Sequence, residues 1–260
     1  MSLLKNYIKQ MTDDGTETLF SITYNEACHS NSGAVSETRS HYIEACKVIE
    51  KAKSLEKINI FEVGFGTGIG FEITKNDLHE QSTFLNFVST EIDPDLVKYY
   101  FLKNFKDKKI IKTKNYYQVQ VENAMLTVLI GNARETIDLS LNLTPDKFDC
   151  IYQDPFSPKR NAVLWTREWF IQLKRISKES CILSTYSSSS SIRKSLLAAG
   201  WSIENISGHG KKRTATVAKL TGVTSQEEVD RLNRSPVVML TDENYQQYTI
   251  ENTHEKNKNM

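Results

Sequence analysis

The stretch Ile58-Asn-Ile-Phe-Glu-Val-Gly-Phe-Gly-Thr-Gly-Ile-Gly70 constrains the fold more than any other part of the chain. Ile58 to Val63 is a short apolar run of the kind that forms a buried strand. It empties into glycines at 64, 66 and 68, and an apolar-periodic segment through Ile69, Phe71 and Ile73 follows. A strand, a tight turn and the start of a helix are expected. Glycine suits the turn because positive φ and close approach of backbone to a ligand both exclude a Cβ. The dinucleotide fingerprint G-x-G-x-x-G would require glycine at position 69, where this chain has Ile. The pattern here is G-x-G-x-G, with Glu62 two residues ahead of the first glycine.

A carboxylate beside such a loop repels a pyrophosphate but suits a cation. S-adenosylmethionine (SAM), with its sulfonium and α-ammonium, is such a ligand. Glu62, Gly64, Phe65, Gly66, Thr67 and Gly68 are therefore expected to hold it. A second strand, Phe84 to Val88 running on into Ser-Thr-Glu91, ends in an acid 23 residues past Gly68. An acid at about that distance is placed to accept ribose hydroxyls. Asp93 caps the helix that Pro94 opens, which leaves Glu91 for the ribose.

Lys plus Arg number 33 against 32 for Asp plus Glu in 260 residues, so a wholly basic nucleic-acid coat is absent. Any such contact must come from a local patch. Cys28, Cys46, Cys150 and Cys181 share no C-x-x-C spacing and read as small hydrophobes in a reducing cytosol. His29 and His41 lack a third ligand at metal spacing, and no metal is expected. No charged-then-apolar leader opens the chain and no apolar run approaches 18 residues. A soluble, cytoplasmic protein without a membrane partner is the expectation.

Residues 1–54 read as an N-terminal extension of strands, loop and helix packed on the catalytic domain, 55–221 as the nucleoside-binding domain, and 222–260 as a polar tail. In the extension, Thr18 to Tyr24 has β composition, the polar loop from Tyr24 to Ala34 crosses the substrate pocket, and Ser36 caps a helix from Glu37 to about Lys53. Tyr116–Val121 and Met125–Ile130 read as a β-hairpin ending in Gly131-Asn132-Ala133. Asn132 and Ala133 then lie near the adenine, although a turn asparagine needs no ligand. The fourth strand, Phe148–Gln153, ends in Asp154-Pro-Phe-Ser-Pro158, and ligands of open parallel sheets bind outside such strand ends. Strands at Cys181–Tyr186, Gly200–Ile206 and Arg213–Lys219 follow, the last antiparallel at or near the edge. The basic loop holding Lys211, Lys212 and Arg213 is a solvated run or a phosphate contact.

Four segments resemble the methyltransferase domain of the MnmC family, the tRNA 5-methylaminomethyl-2-thiouridine biosynthesis enzymes. They are Glu62-Val-Gly-Phe-Gly-Thr-Gly68, Ser89-Thr-Glu91, Asp154-Pro-Phe-Ser-Pro158 with Asn161 and Leu164-Trp-Thr166, and Gly210-Lys-Lys-Arg213. Asp13-Asp-Gly-Thr16 and Glu37-Thr-Arg39 fit as well, so the likeness runs from about residue 12 to 220. Gly131-Asn132 departs from the family's Gly-Asp, and Pro155 and Ala162 from its usual residues. The resemblance implies a Rossmann-like class I SAM-dependent methyltransferase, an α/β fold with a seven-stranded, mostly parallel sheet, the N-terminal extension and the hairpin insertion. It implies methyl transfer to 5-aminomethyl-(2-thio)uridine at the tRNA wobble position. Asp154 would bind cofactor and hold the amine, Phe156 and Pro158 would face the base, and Lys211, Lys212 and Arg213 would touch the tRNA. No flavin (FAD) is expected, the family's oxidase domain being absent, and a separate oxidase or another tRNA-modification protein becomes the expected partner. A polyamine-synthase-like amine transferase and a non-catalytic SAM- or RNA-binding protein are the alternatives.

Overall fold

The structure, a computed structural model, describes residues 3–31, 33–207 and 214–247. The chain opens with β1 (Tyr7–Met11), β2 (Glu17–Ser21) and β3 (Glu26–Ala27), a separate antiparallel sheet in that order. Helix α1 (Ala34–Thr38), a π-helical turn (Arg39–Glu44) and α2 (Val48–Ala52) follow. The domain proper then runs β4 (Lys57–Val63), α3 (Ile69–Asp77), β5 (Phe84–Glu91), α4 (Pro94–Asn104), β6 (Ile110–Lys112), β7 (Tyr116–Val121), β8 (Ala124–Ile130), α5 (Ala133–Leu143) and β9 (Phe148–Gln153). A 3-10 turn (Ala162–Trp165) leads into α6 (Arg167–Ile176), β10 (Ser177–Thr185), α7 (Ser190–Ala198), β11 (Ser202–Ser207), β12 (Thr214–Lys219) and α8 (Gln226–Arg234).

The main sheet has the order β11-β12-β10-β9-β4-β5-β8-β7-β6. Its five central strands, β10 through β8, pair in parallel, while β12 is antiparallel to both β10 and β11. This is the expected α/β class. The sheet is wider than the seven strands read from the sequence, because β7 and a further short strand, β6, extend it antiparallel beyond β8. The three-residue β6 has too little sequence to show a period. The chain order reverses at β4, with β5 and β9 on its two sides, so the crevice at the carboxyl ends of β4 and β9 is where a ligand belongs.

Side-chain alternation along β4 divides the core between the two faces of the sheet. Ile58 and Ile60 join one cluster with Phe71, Phe87 and Tyr152, and Phe61 and Val63 join the other with Trp165, Trp169 and Trp201. Glu62 shares the face of Ile58 and Ile60, in register with Ser89 on β5 and Tyr152 on β9. The alternation thus aims a carboxylate at α3, beside an otherwise apolar core.

The helix expected from Glu37 to Lys53 is broken into three pieces. Ser36 lies inside α1 and does not cap it; Gly33, with φ of 130°, occupies the cap position. Lys47 adopts a left-handed φ of 55°, which ends the π-helical turn before α2 begins. The wider π turn carries one residue more per turn than its hydrogen-bonding neighbours, and such turns are frequent at functional sites. Here it buries His41, Tyr42 and Ile43 together. Beyond Gly222 the polar sequence is anchored as far as residue 247. Glu228 of α8 pairs with the buried Arg193 at 3.2 Å, and Leu232 and Leu240 enter the core.

Candidate active site

The turn after β4 is held by two N–H groups, Gly64 and Phe65, that both donate to the Thr90 carbonyl at 3.2 and 2.9 Å. Gly64 has φ of 92°, and a Cβ there would lie 2.6 Å from the Asp154 carbonyl oxygen. Glycine is therefore what lets the ends of β4 and β9 meet. Gly66 donates its N–H to Glu91 at 3.0 Å, and Asp93 donates to the other Glu91 oxygen at 3.0 Å. Burial pushes Glu91 up to about 7, while the Asp93 and Gly66 N–H groups pull the other way. Asp93 caps α4 by accepting from the Asp95 N–H, as its place before Pro94 predicts.

Glu62 is 3% exposed and accepts a 2.6 Å hydrogen bond from Ser89. A Cβ on Gly70 would fall 1.9 Å from its Oε1, so the first turn of α3 is cut away to admit this carboxylate. Burial drives its pKa well above the usual range, the Ser89 bond opposes that, and the charges of Asp154 and Glu91 add to the rise. An ionised acid so placed is costly until a cation joins it.

Asp154 sits at the end of β9 and accepts a 2.5 Å bond from the Tyr42 hydroxyl, delivered by the π-helical turn. Burial and the Asp154 charge hold Tyr42 well above its ordinary pKa, so it stays a donor. Around this pair the N-terminal extension folds over the crevice. Tyr24 stacks on Phe156 with ring centroids 4.5 Å apart and planes 20° from parallel. Glu26 accepts from both the N–H (3.1 Å) and the hydroxyl (2.6 Å) of Ser157. The loop from Tyr24 does cross the pocket.

Together these residues enclose a cavity of about 540 Å³. Its lining contains Glu62, Gly64, Phe65, Gly66, Glu91, Asn132, Ala133, Asp154 and Phe156 among the residues singled out in the sequence. Asn132 is also the N-cap of α5: its side chain accepts from the Arg134 N–H at 3.1 Å and donates to Glu135 at 3.2 Å. Three expected residues are not on the cavity wall. Thr67 has its hydroxyl buried without a hydrogen-bond partner, Gly68 is packed against the Tyr100 ring where it caps α3, and Pro158 is buried elsewhere. Lys211, Lys212 and Arg213 lie outside the described residues.

Sequence reasoning missed Tyr7, Tyr42 and Tyr186, which line the cavity from distant segments. The only sequence signal near Tyr42 was the adjoining Glu37-Thr-Arg39, whose Arg39 forms a two-pronged bridge to Asp77 of α3 at 3.0 and 2.9 Å. That bridge ties the first residue of the π-helical turn to the end of α3.

The donor set fits SAM. Glu26, Glu37, Glu62, Glu91 and Asp154 line the cavity, and no Lys or Arg does among the described residues. Such a wall welcomes a sulfonium and an ammonium and disfavours a phosphate. Glu91 has the hydrogen-bond capacity for ribose hydroxyls. Among the described residues no helix is long and apolar enough to cross a membrane.

Comparison with known proteins agrees. A family model described as S-adenosyl-L-methionine-dependent methyltransferase matches residues 95–221. The tRNA 5-methylaminomethyl-2-thiouridine biosynthesis bifunctional protein MnmC of Paraburkholderia xenovorans is 27% identical over 248 residues, covering 88% of this chain and 37% of the relative. The protein of the same name from Leptospira borgpetersenii is 30% identical over 186 residues, covering 64% of this chain and 28% of the relative. The chain thus spans about a third of these relatives' length. The crystal structure of MNMC2 from Aquifex aeolicus superposes with a TM-score of 0.73 at 29% identity, covering 92% of this chain and 80% of that one. The strand order, the acid-lined crevice and these likenesses converge on the Rossmann-like fold and cofactor of an S-adenosyl-L-methionine-dependent methyltransferase, and along its length the chain is similar to the MnmC methyltransferase domain.

Proposed function

We propose that this chain methylates the primary amine of 5-aminomethyl-(2-thio)uridine at the wobble position of tRNA. The observation that carries the reading is the Tyr42–Asp154 pair, at 2.5 Å, set in a cavity walled by carboxylates at the carboxyl end of β9. An aminomethyl group is an ammonium ion near neutral pH, and this wall attracts it as it attracts the cofactor. The name carried by the bacterial relatives, tRNA 5-methylaminomethyl-2-thiouridine biosynthesis protein, supports the choice of amine.

SAM, when bound, supplies a methyl carbon activated by its sulfonium. The chain's own groups then have three tasks. Asp154 draws the ammonium against the end of β9 and accepts the proton that frees its lone pair. As the N–C bond forms, the C–S pair stays with sulfur, and the proton lost from nitrogen passes through Asp154 to solvent. Tyr42, kept protonated, orients the carboxylate by donating to it. Phe156, backed by the stacked Tyr24 ring, offers a flat apolar surface for an unstacked uracil. Most of the rate enhancement would come from alignment of amine and methyl.

The test is transfer from labelled SAM to tRNA isolated from cells lacking the activity, followed by nucleoside mass spectrometry. One methyl gained on 5-aminomethyl-uridine is expected. Retained SAM binding without any gain on tRNA would point to another amine acceptor, such as a polyamine.

A further inference from the structure

The acid-lined cavity raises a physical problem for any polyanionic substrate, since the wall that receives an amine repels the phosphates on either side of it. An anchor for those phosphates must lie outside the cavity. Residues 103–114 contain Lys103, Lys106, Lys108, Lys109, Lys112 and Lys114 against the single acid Asp107. All six lysines are exposed. Lys103 reaches Glu17 at 3.7 Å; the other five make no ion pair among the described residues. The segment leaves the end of α4, forms β6, and turns into β7, so it is the outermost edge of the nine-stranded sheet.

This edge is tied to the cofactor end of the sheet by backbone hydrogen bonds. The Ile130 N–H donates to the Asn115 carbonyl at 2.8 Å, and the next N–H, that of Gly131, donates to the carbonyl of Glu91 at 2.9 Å. Lys112 pairs in register with Tyr117, and its ammonium lies 5.2 Å from that ring's centre. Lys112 and Lys114 therefore stand at the end of the sheet where the cavity lies, two strands or about 10 Å out from β8. Protecting an edge strand from aggregation takes a lysine or two on the strand itself. Here the lysines continue before β6, at 106, 108 and 109, and after it, at 114. A membrane-binding surface of this charge would be built on an amphipathic helix with a continuous apolar face. This one is a strand edge and two turns, with exposed apolar side chains only singly, at Leu102 and Ile111.

We propose that the lysine-rich edge formed by the end of α4, β6 and the turn into β7 is the docking surface for the phosphate backbone of a folded RNA, holding it beside the acidic cavity. The inference rests on the proposed tRNA substrate and adds the surface that receives it.

The experiment measures binding of tRNA to the full chain between 50 and 300 mM salt, by filter retention. The variant replaces Lys108, Lys109, Lys112 and Lys114 together by Gln, which keeps the edge polar, and a second variant replaces them by Arg. The Gln variant is expected to bind tRNA at least about tenfold more weakly at 100 mM salt, with a salt slope shallower by about 3, while the Arg variant keeps both. SAM affinity by calorimetry stays within about twofold, and in methyl-transfer assays KM for tRNA rises while kcat holds. Wild-type affinity and slope in the Gln variant would overturn the surface. So would lysine-dependent binding to phosphatidylserine vesicles with none to tRNA. Lysine-dependent tRNA binding without methyl gain leaves the surface standing and removes the substrate reading; methyl gain with unchanged KM in the Gln variant does the reverse.

Discussion

Among the described residues, the cavity and the β6 edge are strongly charged regions of opposite sign, in a chain whose formal net charge is +1. In the cavity, carboxylates are held by fixed partners: the buried Glu62 by Ser89, the buried Glu91 by two backbone N–H groups, and the half-buried Asp154 by Tyr42. At the edge, lysines stand in solvent on flexible stems. Charges in the first setting feel a low dielectric and little screening, so position decides which ligand is accepted. Charges in the second are screened within about 8 Å at physiological salt, so they attract without fixing geometry. The difference teaches that overall neutrality conceals a division of labour: one field selects a small cation, the other gathers a large anion.

The comparison breaks most visibly at Asp154. Asp154→Asn keeps the shape and removes the base, and kcat at saturating SAM should fall by about 10²- to 10⁴-fold, well beyond any loss of SAM affinity read by calorimetry. Normal turnover in that variant would end the proton-accepting role. Glu62→Gln comes next. SAM should bind about 10- to 100-fold more weakly, as expected for a lost charge-assisted contact. The ligand-free protein should melt about 2–4 °C higher, because a buried acid repelled by its neighbours has been neutralised. A variant that lost stability and kept affinity would show that Glu62 is a structural acid.

A smaller effect is predicted for pH. Glu91 holds its proton up to about 7, against an ordinary value of 4.5. The folded, ligand-free protein therefore binds more protons than the unfolded chain between those values. Its contribution to stability is complete below about 4.5 and is lost as pH rises through about 7. If Glu91 takes the cofactor ribose as a carboxylate, as proposed for it, SAM binding runs the opposite way. Affinity should be about tenfold tighter at pH 8 than at pH 6, with a proton released on binding near pH 6.5. Calorimetry in buffers of different ionisation heat reads both, and a flat profile would detach Glu91 from the cofactor. The smallest change is Tyr42→Phe, which removes one donor. A three- to tenfold loss in kcat with the acidic limb of its pH profile moved to higher pH is expected, in line with about 1 kcal/mol for one hydrogen bond.

Legibility in the sequence followed the range of the forces. The β4 turn, the Asp93 cap on α4 and the β7–β8 hairpin each depend on residues a few positions apart, and all were readable. The helix after Ser36 was not. Its apolar spacing suits an ordinary helix, but the buried packing of His41 and Tyr42 against β10 and β9 favours a π turn, with Ser184 donating to the His41 carbonyl and Tyr42 meeting Asp154. Thr67, Gly68 and Pro158 looked like ligand residues because they belong to motifs. Gly68 caps α3 against the Tyr100 ring, while Thr67 and Pro158 stand off the cavity wall.

By itself the sequence determined the α/β class, the glycine turn after β4 and the three acids at strand ends, because hydrophobic period, glycine geometry and capping act locally. Only the tertiary structure decided which residues share the cavity. Tyr42 and Asp154 are 112 positions apart, and Glu26 and Ser157 are 131 apart. Contacts of that separation depend on strand order and on how the first sheet folds back over the second, which no local pattern records. The same holds for the two fields. Six lysines in a row of twelve residues are visible in the sequence, but that they lie on the edge beside an acid-walled cavity follows from the pairing of β6, β7 and β8.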